Sequence, residues 1–259
     1  MYNRNQVNLN PFNFPASDFN TRSTNNPFLP DTDPTREMTI RVENPEISSN
    51  MRQIFTFSDA NMFAQGLSIA NTFQPAVNPV PGTTDVYYFN ANQGLKIVNE
   101  LNDPPVEIYG TVNTTLSQTN KELRDIFDPI VSVLRTILPE NTTVLLYKYL
   151  KTEIQNAFVN LIDTEYEAWI NFLNQTSFKA SYTYNFIFIF SDPLTSETLI
   201  SMPVGLTIEL TSQGAQKDKT LVLSPLSYVD CNVRIQALAI SQEIIETDGL
   251  PLSVLSALT

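Results

Sequence analysis

The run Phe178-Lys179-Ala180-Ser181-Tyr182-Thr183-Tyr184-Asn185-Phe186-Ile187-Phe188-Ile189-Phe190 constrains the chain more than any other segment. Its even positions carry an aromatic stripe of Tyr182, Tyr184, Phe186, Phe188 and Phe190. Side chains alternate across a strand, so the stripe occupies one face. The odd positions begin polar and end as Ile187 and Ile189. Half of the strand is thus apolar on both faces and must be covered from both sides. At roughly 3.3 Å per residue the run spans about 43 Å, whereas a membrane-crossing strand needs only about 9–11 residues. It is long enough to cross a bilayer if its covers move away. Open strand edges are not tolerated in lipid, so several copies would have to join edge to edge. Taken alone, such an aromatic strand is ordinarily just buried core, and length and pattern do not by themselves establish insertion.

The covers are legible upstream. Leu123, Ile126, Phe127, Ile130, Leu134, Ile137 and Leu138 step at helical spacing, with Pro129 inside the pattern and Pro139 closing it. This predicts a helix over 123–138, kinked or broken at Pro129. Tyr147, Leu150, Ile154, Ala157, Phe158, Leu161 and Ile162 repeat the spacing. The short connection predicts an antiparallel helical hairpin. Earlier, Ser58-Asp59 reads as the start of a helix running to about Val77, and a short helix is expected at 90–101.

Alternation predicts a strand at 37–43 and a short one from Val106 to Val112. Strands are expected again at 167–173, 178–191, 198–211 and 219–233, with a last helix at 235–246. Pro225 falls in the last of these strands and implies a bulge or an edge there. The fold class is α/β: a single-domain three-layer sandwich, with helical hairpins on both faces of a central, largely antiparallel sheet. Residues 36–246 form that domain. Residues 1–35, rich in Asn and Pro, read either as a disordered tail or as a propeptide, with Arg22 and Arg36 as trypsin-like cleavage sites. Residues 247–259 form a C-terminal tail.

Composition removes several functions. Net charge is −12, so neither phosphate-rich nucleic acid nor strongly anionic lipid is an expected partner, and zwitterionic headgroups fit better. There is no His and a single cysteine, Cys231. This excludes Ser-His and Cys-His nucleophile pairs and histidine metal ligands, and no cofactor is expected. Only seven Gly are present, without a nucleotide-cradling pattern. The N-terminus lacks the apolar run of a signal peptide, and no stretch is long and apolar enough for a transmembrane helix, so a soluble product is expected.

Several blocks then resemble one family. Thr39-Ile40-Arg41-Val42-Glu43-Asn44-Pro45 is similar to the N-terminal strand of the Cyt family of cytolytic δ-endotoxins. Ala70-Asn71-Thr72-Phe73-Gln74-Pro75-Ala76, Glu167-Ala168-Trp169-Ile170 and Tyr182-Thr183-Tyr184-Asn185 resemble later blocks in matching order. So do Pro203-Val204-Gly205 and Asn232-Val233-Arg234-Ile235-Gln236-Ala237-Leu238. The resemblance covers about residues 36–255. It implies a cytolytic, non-enzymatic toxin stored in parasporal crystals, dissolved in an alkaline gut and trimmed by gut proteases at both ends. It implies binding to unsaturated phospholipid, oligomerisation into pores or detergent-like disruption, and synergy with other crystal toxins. A dimeric protoxin would exchange the strand holding Thr39, Ile40, Arg41 and Val42.

On this reading the hairpin of 178–191 and 198–211 inserts. Its lipid-facing residues are Tyr182, Tyr184, Phe186, Phe188, Phe190, Val204, Leu206 and Ile208. Trp169 is either core or an interfacial anchor, and Tyr182 and Tyr184 are candidate cation–π contacts for choline headgroups. Two other classes stay open. One is a glycoside hydrolase using Asp163, Glu165 and Glu167; the other is a storage or structural protein whose role is to crystallise.

Overall fold

The computed structural model describes residues 38–40, 50–57, 61–83, 86–101, 106–140, 142, 144–159, 161, 167, 169–192, 198–213 and 223–244. In chain order the elements are β1 (Met38–Ile40), β2 (Arg52–Phe57), α1 (Asn61–Thr72), a 3-10 turn (Gln74–Ala76), β3 (Val77–Pro79), β4 (Tyr87–Phe89) and α2 (Ala91–Glu100). They continue with β5 (Val106–Glu122), α3 (Arg124–Arg135), α4 (Val144–Val159), β6 (Ile170–Gln175), β7 (Lys179–Ser191), β8 (Thr198–Ser212) and β9 (Tyr228–Glu243). The chain is of mixed α/β character.

One seven-stranded sheet runs β1-β2-β7-β8-β9-β5, and β6 also pairs with β7. Strand β7 pairs with β8 along its whole length. Its other edge is divided. Tyr184 and the residues before it face β6, and Phe186 to Phe190 face β2. The β2–β7 pair is parallel and the remaining pairs of this sheet are antiparallel. Strand β8 carries Pro203 in mid-sheet; its pairing with β9 passes from Ser201 to Val204 without a break in register. A proline gives no ladder hydrogen bond, so the interruption is local.

The alternation of β7 separates two cores. Its even residues join β8, β9, α3 and α4 in one cluster. Ile187 and Ile189 join Phe73, Phe89, Val98, Leu238 and Ile240 in the other, with α1 and α2. Helices α3 and α4 are antiparallel neighbours: Phe127 meets Phe158 with ring centroids 5.6 Å apart, and Arg135 lies 4.0 Å over the Tyr147 ring. Asp125 in the first turn of α3 and Arg135 in its last complement the helix dipole. Helix α2 is capped by Asn90, whose side chain accepts from the backbone N–H of Asn92 and Gln93.

Several expectations are corrected. No helix occupies 235–243; the segment continues β9 to Glu243, flanked by β8 and β5. Ladders on both edges and burial on both faces decide it, since Leu238 and Ile240 enter one core and Ala237 and Ala239 the other. Pro225 and Leu226 form a turn and β9 begins only at Tyr228, so Pro225 lies outside the ladder. Strand β5 has 17 residues, far beyond Val112. Of the two expectations at Pro129, the break does not occur, since α3 is continuous through it. Helix α1 ends at Thr72, because Pro75 directs the next residues into a 3-10 turn before Val77 turns extended. Strand β2 has no counterpart in the sequence reading. Ser58 and Asp59 lie outside the described residues.

Candidate functional site

The candidate site is the sheet face beneath the α3–α4 hairpin. Tyr182, Tyr184, Phe186, Phe188, Phe190, Val204, Leu206 and Ile208 all sit there with at most 1 % of their surface exposed. The structure therefore brings all eight hairpin residues of the sequence reading into one patch. While α3 and α4 stay in place, none of them reaches solvent. The rings are in contact along the strand: Tyr184 and Phe186 are edge to face, and Phe188 and Phe190 lie 5.1 Å apart.

Three polar ties hold α4 to this apolar face. The Tyr182 hydroxyl donates to the Ala157 carbonyl at 2.7 Å. Ala157 belongs to the last turn of α4, where carbonyls have no partner within the helix, so the bond satisfies an otherwise orphaned group. The Tyr184 hydroxyl donates to Glu153 Oε1 at 2.6 Å. Arg52 Nη1 donates to the Tyr184 hydroxyl at 2.9 Å and lies 3.3 Å from Glu153 Oε1. Arg52 comes from β2, Tyr184 from β7 and Glu153 from α4, so one buried cluster joins three elements. Burial pushes the Tyr184 hydroxyl well above its ordinary value of 10, and the Glu153 charge adds to this. Burial does the same to Tyr182 and pushes the Cys231 thiol up to about 12.

The sequence reading did not find Arg52 or Glu153. Glu153 had a signal: it stands three residues after Leu150 and four before Ala157, on the apolar stripe of α4. A carboxylate on a buried stripe needs a partner. Arg52 had none, because the pairing of β2 with β7 links residues 134 positions apart.

The opposite face uses different fastenings. Asn185 Oδ1 accepts from the Phe89 N–H at 2.9 Å, and Asn185 Nδ2 donates to the Tyr87 carbonyl at 3.0 Å. Thr183 Oγ1 donates to the same carbonyl. The Tyr182-to-Asn185 block thus alternates functions, aromatic toward α4 and backbone-binding toward β4. Gly205, level with Asn185, lets β4 approach; a Cβ there would lie 2.9 Å from Phe89 Cβ and 3.0 Å from its backbone N and O.

The other sequence-predicted residues are scattered. Trp169 is half-buried at the margin of the hairpin face, and its indole N–H is buried without a hydrogen-bond partner among the described residues. Thr39 and Ile40 lie in β1, paired with β2 at the sheet edge. Arg22, Arg36, Arg41 and Val42 lie outside the described residues, as do Asp163 and Glu165 of the carboxylate reading. Among the described residues no cluster of metal-ligating side chains occurs, and no helix is long and apolar enough to cross a membrane.

A long-stranded sheet with a helical hairpin over its aromatic face defines a class of chain, and comparison with known proteins agrees. The profile described as Bacillus thuringiensis toxin matches residues 30–259. The chain belongs to that family. It is 28% identical over 235 residues to the type-1Aa cytolytic delta-endotoxin of Bacillus thuringiensis subsp. morrisoni, covering 90% of this chain and 92% of that one. It is 26% identical over 234 residues to the type-1Ba cytolytic delta-endotoxin of subsp. neoleoensis, covering 89% and 86%. A crystal structure of the activated Cyt2Ba monomer from subsp. israelensis aligns with TM-score 0.66 and 25% identity, over 76% of this chain and 100% of that one.

Proposed function

We propose that the chain is a cytolytic toxin that damages membranes by releasing α3–α4 and committing the uncovered face of β7 and β8 to lipid. One observation carries the proposal. Among the described residues, the apolar face of β7, β8 and β9, strands of 13, 15 and 16 residues, is covered mainly by one helical hairpin. Each of these strands exceeds the about 9–11 residues a bilayer requires. The relatives named as cytolytic delta-endotoxins support the same reading.

In this reading the molecule is a three-layer sandwich whose outer layers are covers, the α3–α4 cover being the one that leaves. Residues 36–246 are the toxin domain, and the segments before and after it are removed by gut proteases, with Arg22 and Arg36 as cleavage positions. Thr39, Ile40, Arg41 and Val42 pair two copies in the stored protoxin, which accumulates in a parasporal crystal. The membrane partner is zwitterionic, unsaturated phospholipid, met by Trp169 at the interface and by the hairpin aromatics in the acyl region. Several copies then close their strand edges into a pore, as lipid requires. Other crystal toxins act alongside it, and the chain performs no enzymatic step.

The test is dye release from phosphatidylcholine vesicles by trypsin-treated protein. Release that grows with protein concentration is the expected result. Intact vesicles in the presence of solubilised, trimmed protein would sink the proposal in favour of a storage role.

A further inference from the structure

Among the described residues, the second face of the sheet is covered over only part of its area. Near Phe89 it is closed by β4, α1 and α2. Further along the same face, polar side chains meet solvent. Glu209 of β8 is exposed and in register with Ser181 of β7 and Asn232 of β9. Two residues along, Arg234 of β9 is exposed and in register with Thr207 of β8 and Thr115 of β5. The neighbours of these residues in sequence, Ile208 and Val233, have no exposed surface and point into the hairpin face. The sheet here is amphipathic across four consecutive strands, with polar and apolar positions aligned from strand to strand.

That pattern has a physical consequence once α3–α4 leaves. A membrane barrel needs strands that alternate apolar toward lipid and polar toward water. These strands supply the alternation without rearranging their register. We infer that the open polar part of the second face becomes the lumen wall of the pore, with Glu209 and Arg234 as the residues that set its ion selectivity. The inference rests on the pore reading above. Each register row becomes one tier of the lumen, repeated once per copy. One tier carries carboxylates and a second, about 7 Å along the strand, carries guanidinium groups. Rings of charged side chains select ions of opposite sign. Hydrated small ions are the ligand class. The carboxylate tier attracts cations, and the guanidinium tier attracts anions.

The experiment is reversal-potential measurement in planar phosphatidylcholine bilayers under a KCl gradient, with the trypsin-treated full chain and three variants. Glu209→Lys is expected to shift the reversal potential toward anion selectivity and Arg234→Glu toward cation selectivity. Glu140→Lys, an exposed change in the α3–α4 connection, is expected to shift nothing. Discrete wild-type channels whose reversal potential ignores both Glu209→Lys and Arg234→Glu would overturn the inference while leaving the pore reading intact. Dye release by wild type without discrete conductance steps would remove the pore reading, and the inference with it. A second pair guards against misfolded charge variants. In a Cys231→Ala background, a membrane-impermeant thiol reagent should block current through Thr207→Cys and not through Ile208→Cys. The reverse pattern would place the other face in the lumen and overturn the inference.

Discussion

The two faces of the sheet are covered by different chemistry. The hairpin face is closed mainly by apolar contact, an area of aromatic and aliphatic side chains pinned by Tyr182, Tyr184, Glu153 and Arg52. The second face has its own apolar cluster with α1 and α2 and is in addition fastened through backbone, with Asn185 and Thr183 holding the peptide groups of β4 and Gly205 making room for it. Apolar contact is non-directional and can be exchanged for lipid at little loss, because acyl chains offer the same surroundings. Backbone hydrogen bonds cannot be exchanged that way, since a peptide group in lipid has no other partner. On the proposed reading the difference matches separate tasks, with the α3–α4 layer as the cover that leaves and the β4 side as the one that stays.

The largest expected effect comes from preventing removal. A disulfide joining α4 to β7, whose tyrosines already tie the two together, made in a Cys231→Ala background, should abolish dye release from phosphatidylcholine vesicles. Added reductant should restore it. Lysis that proceeds undiminished with the bond intact would sink the idea that this cover leaves.

A smaller effect comes from weakening each cover in turn. Glu153→Ala removes the buried carboxylate that accepts from the Tyr184 hydroxyl and pairs with half-buried Arg52, and leaving a buried donor unsatisfied typically costs about 1–3 kcal/mol. Denaturant unfolding should show the loss, and vesicle lysis should become faster because α4 is less firmly held. Gly205→Ala forces a Cβ against the Phe89 backbone, which typically costs about 1–3 kcal/mol. It should lower stability without a matching acceleration of lysis. Equal acceleration per kcal/mol lost in both variants would erase the distinction between the faces.

How much of this could be read from the sequence depends on range. The α3–α4 pair and the β7–β8 strands were legible because their side-chain periods are local and strong, at 3.6 and 2 residues. The end of β9 was not. Ile235-Gln236-Ala237-Leu238-Ala239-Ile240 is a short apolar run of residues that also favour helix, and only pairing with β8 and β5 decides it. Most of β5 was hidden for the opposite reason. Thr114, Thr115, Ser117 and Thr119 of this sheet-edge strand are exposed and leave little hydrophobic signal. In the candidate site, the aromatic patch was readable as a stripe. The cluster of Arg52, Glu153 and Tyr184 was not, because it assembles three distant segments.

Alkali should act on the hairpin face, since Cys231, Tyr182 and Tyr184 all lie there with pKa raised by burial. The sign follows from proton binding. Below pH 9 the Cys231 thiol is protonated in both folded and unfolded chains. Above it the unfolded thiol ionises, while burial keeps the folded one protonated to about 12. The folded state then binds more protons, so stability falls as pH rises. At pH 10 this single group accounts for about 1.4 kcal/mol, the energy of one pKa unit. Tyr182 and Tyr184 add to the loss above 10, where unfolded tyrosine ionises. Cys231→Ala should therefore flatten the fall in unfolding free energy between pH 9 and 10, and leave the steeper loss above 10 in place. An unchanged slope between pH 9 and 10 would mean that the thiol is not what makes this face sensitive to alkali. A flattened slope, with lysis onset moved to higher pH, would tie the removable cover to the chemistry of the face beneath it.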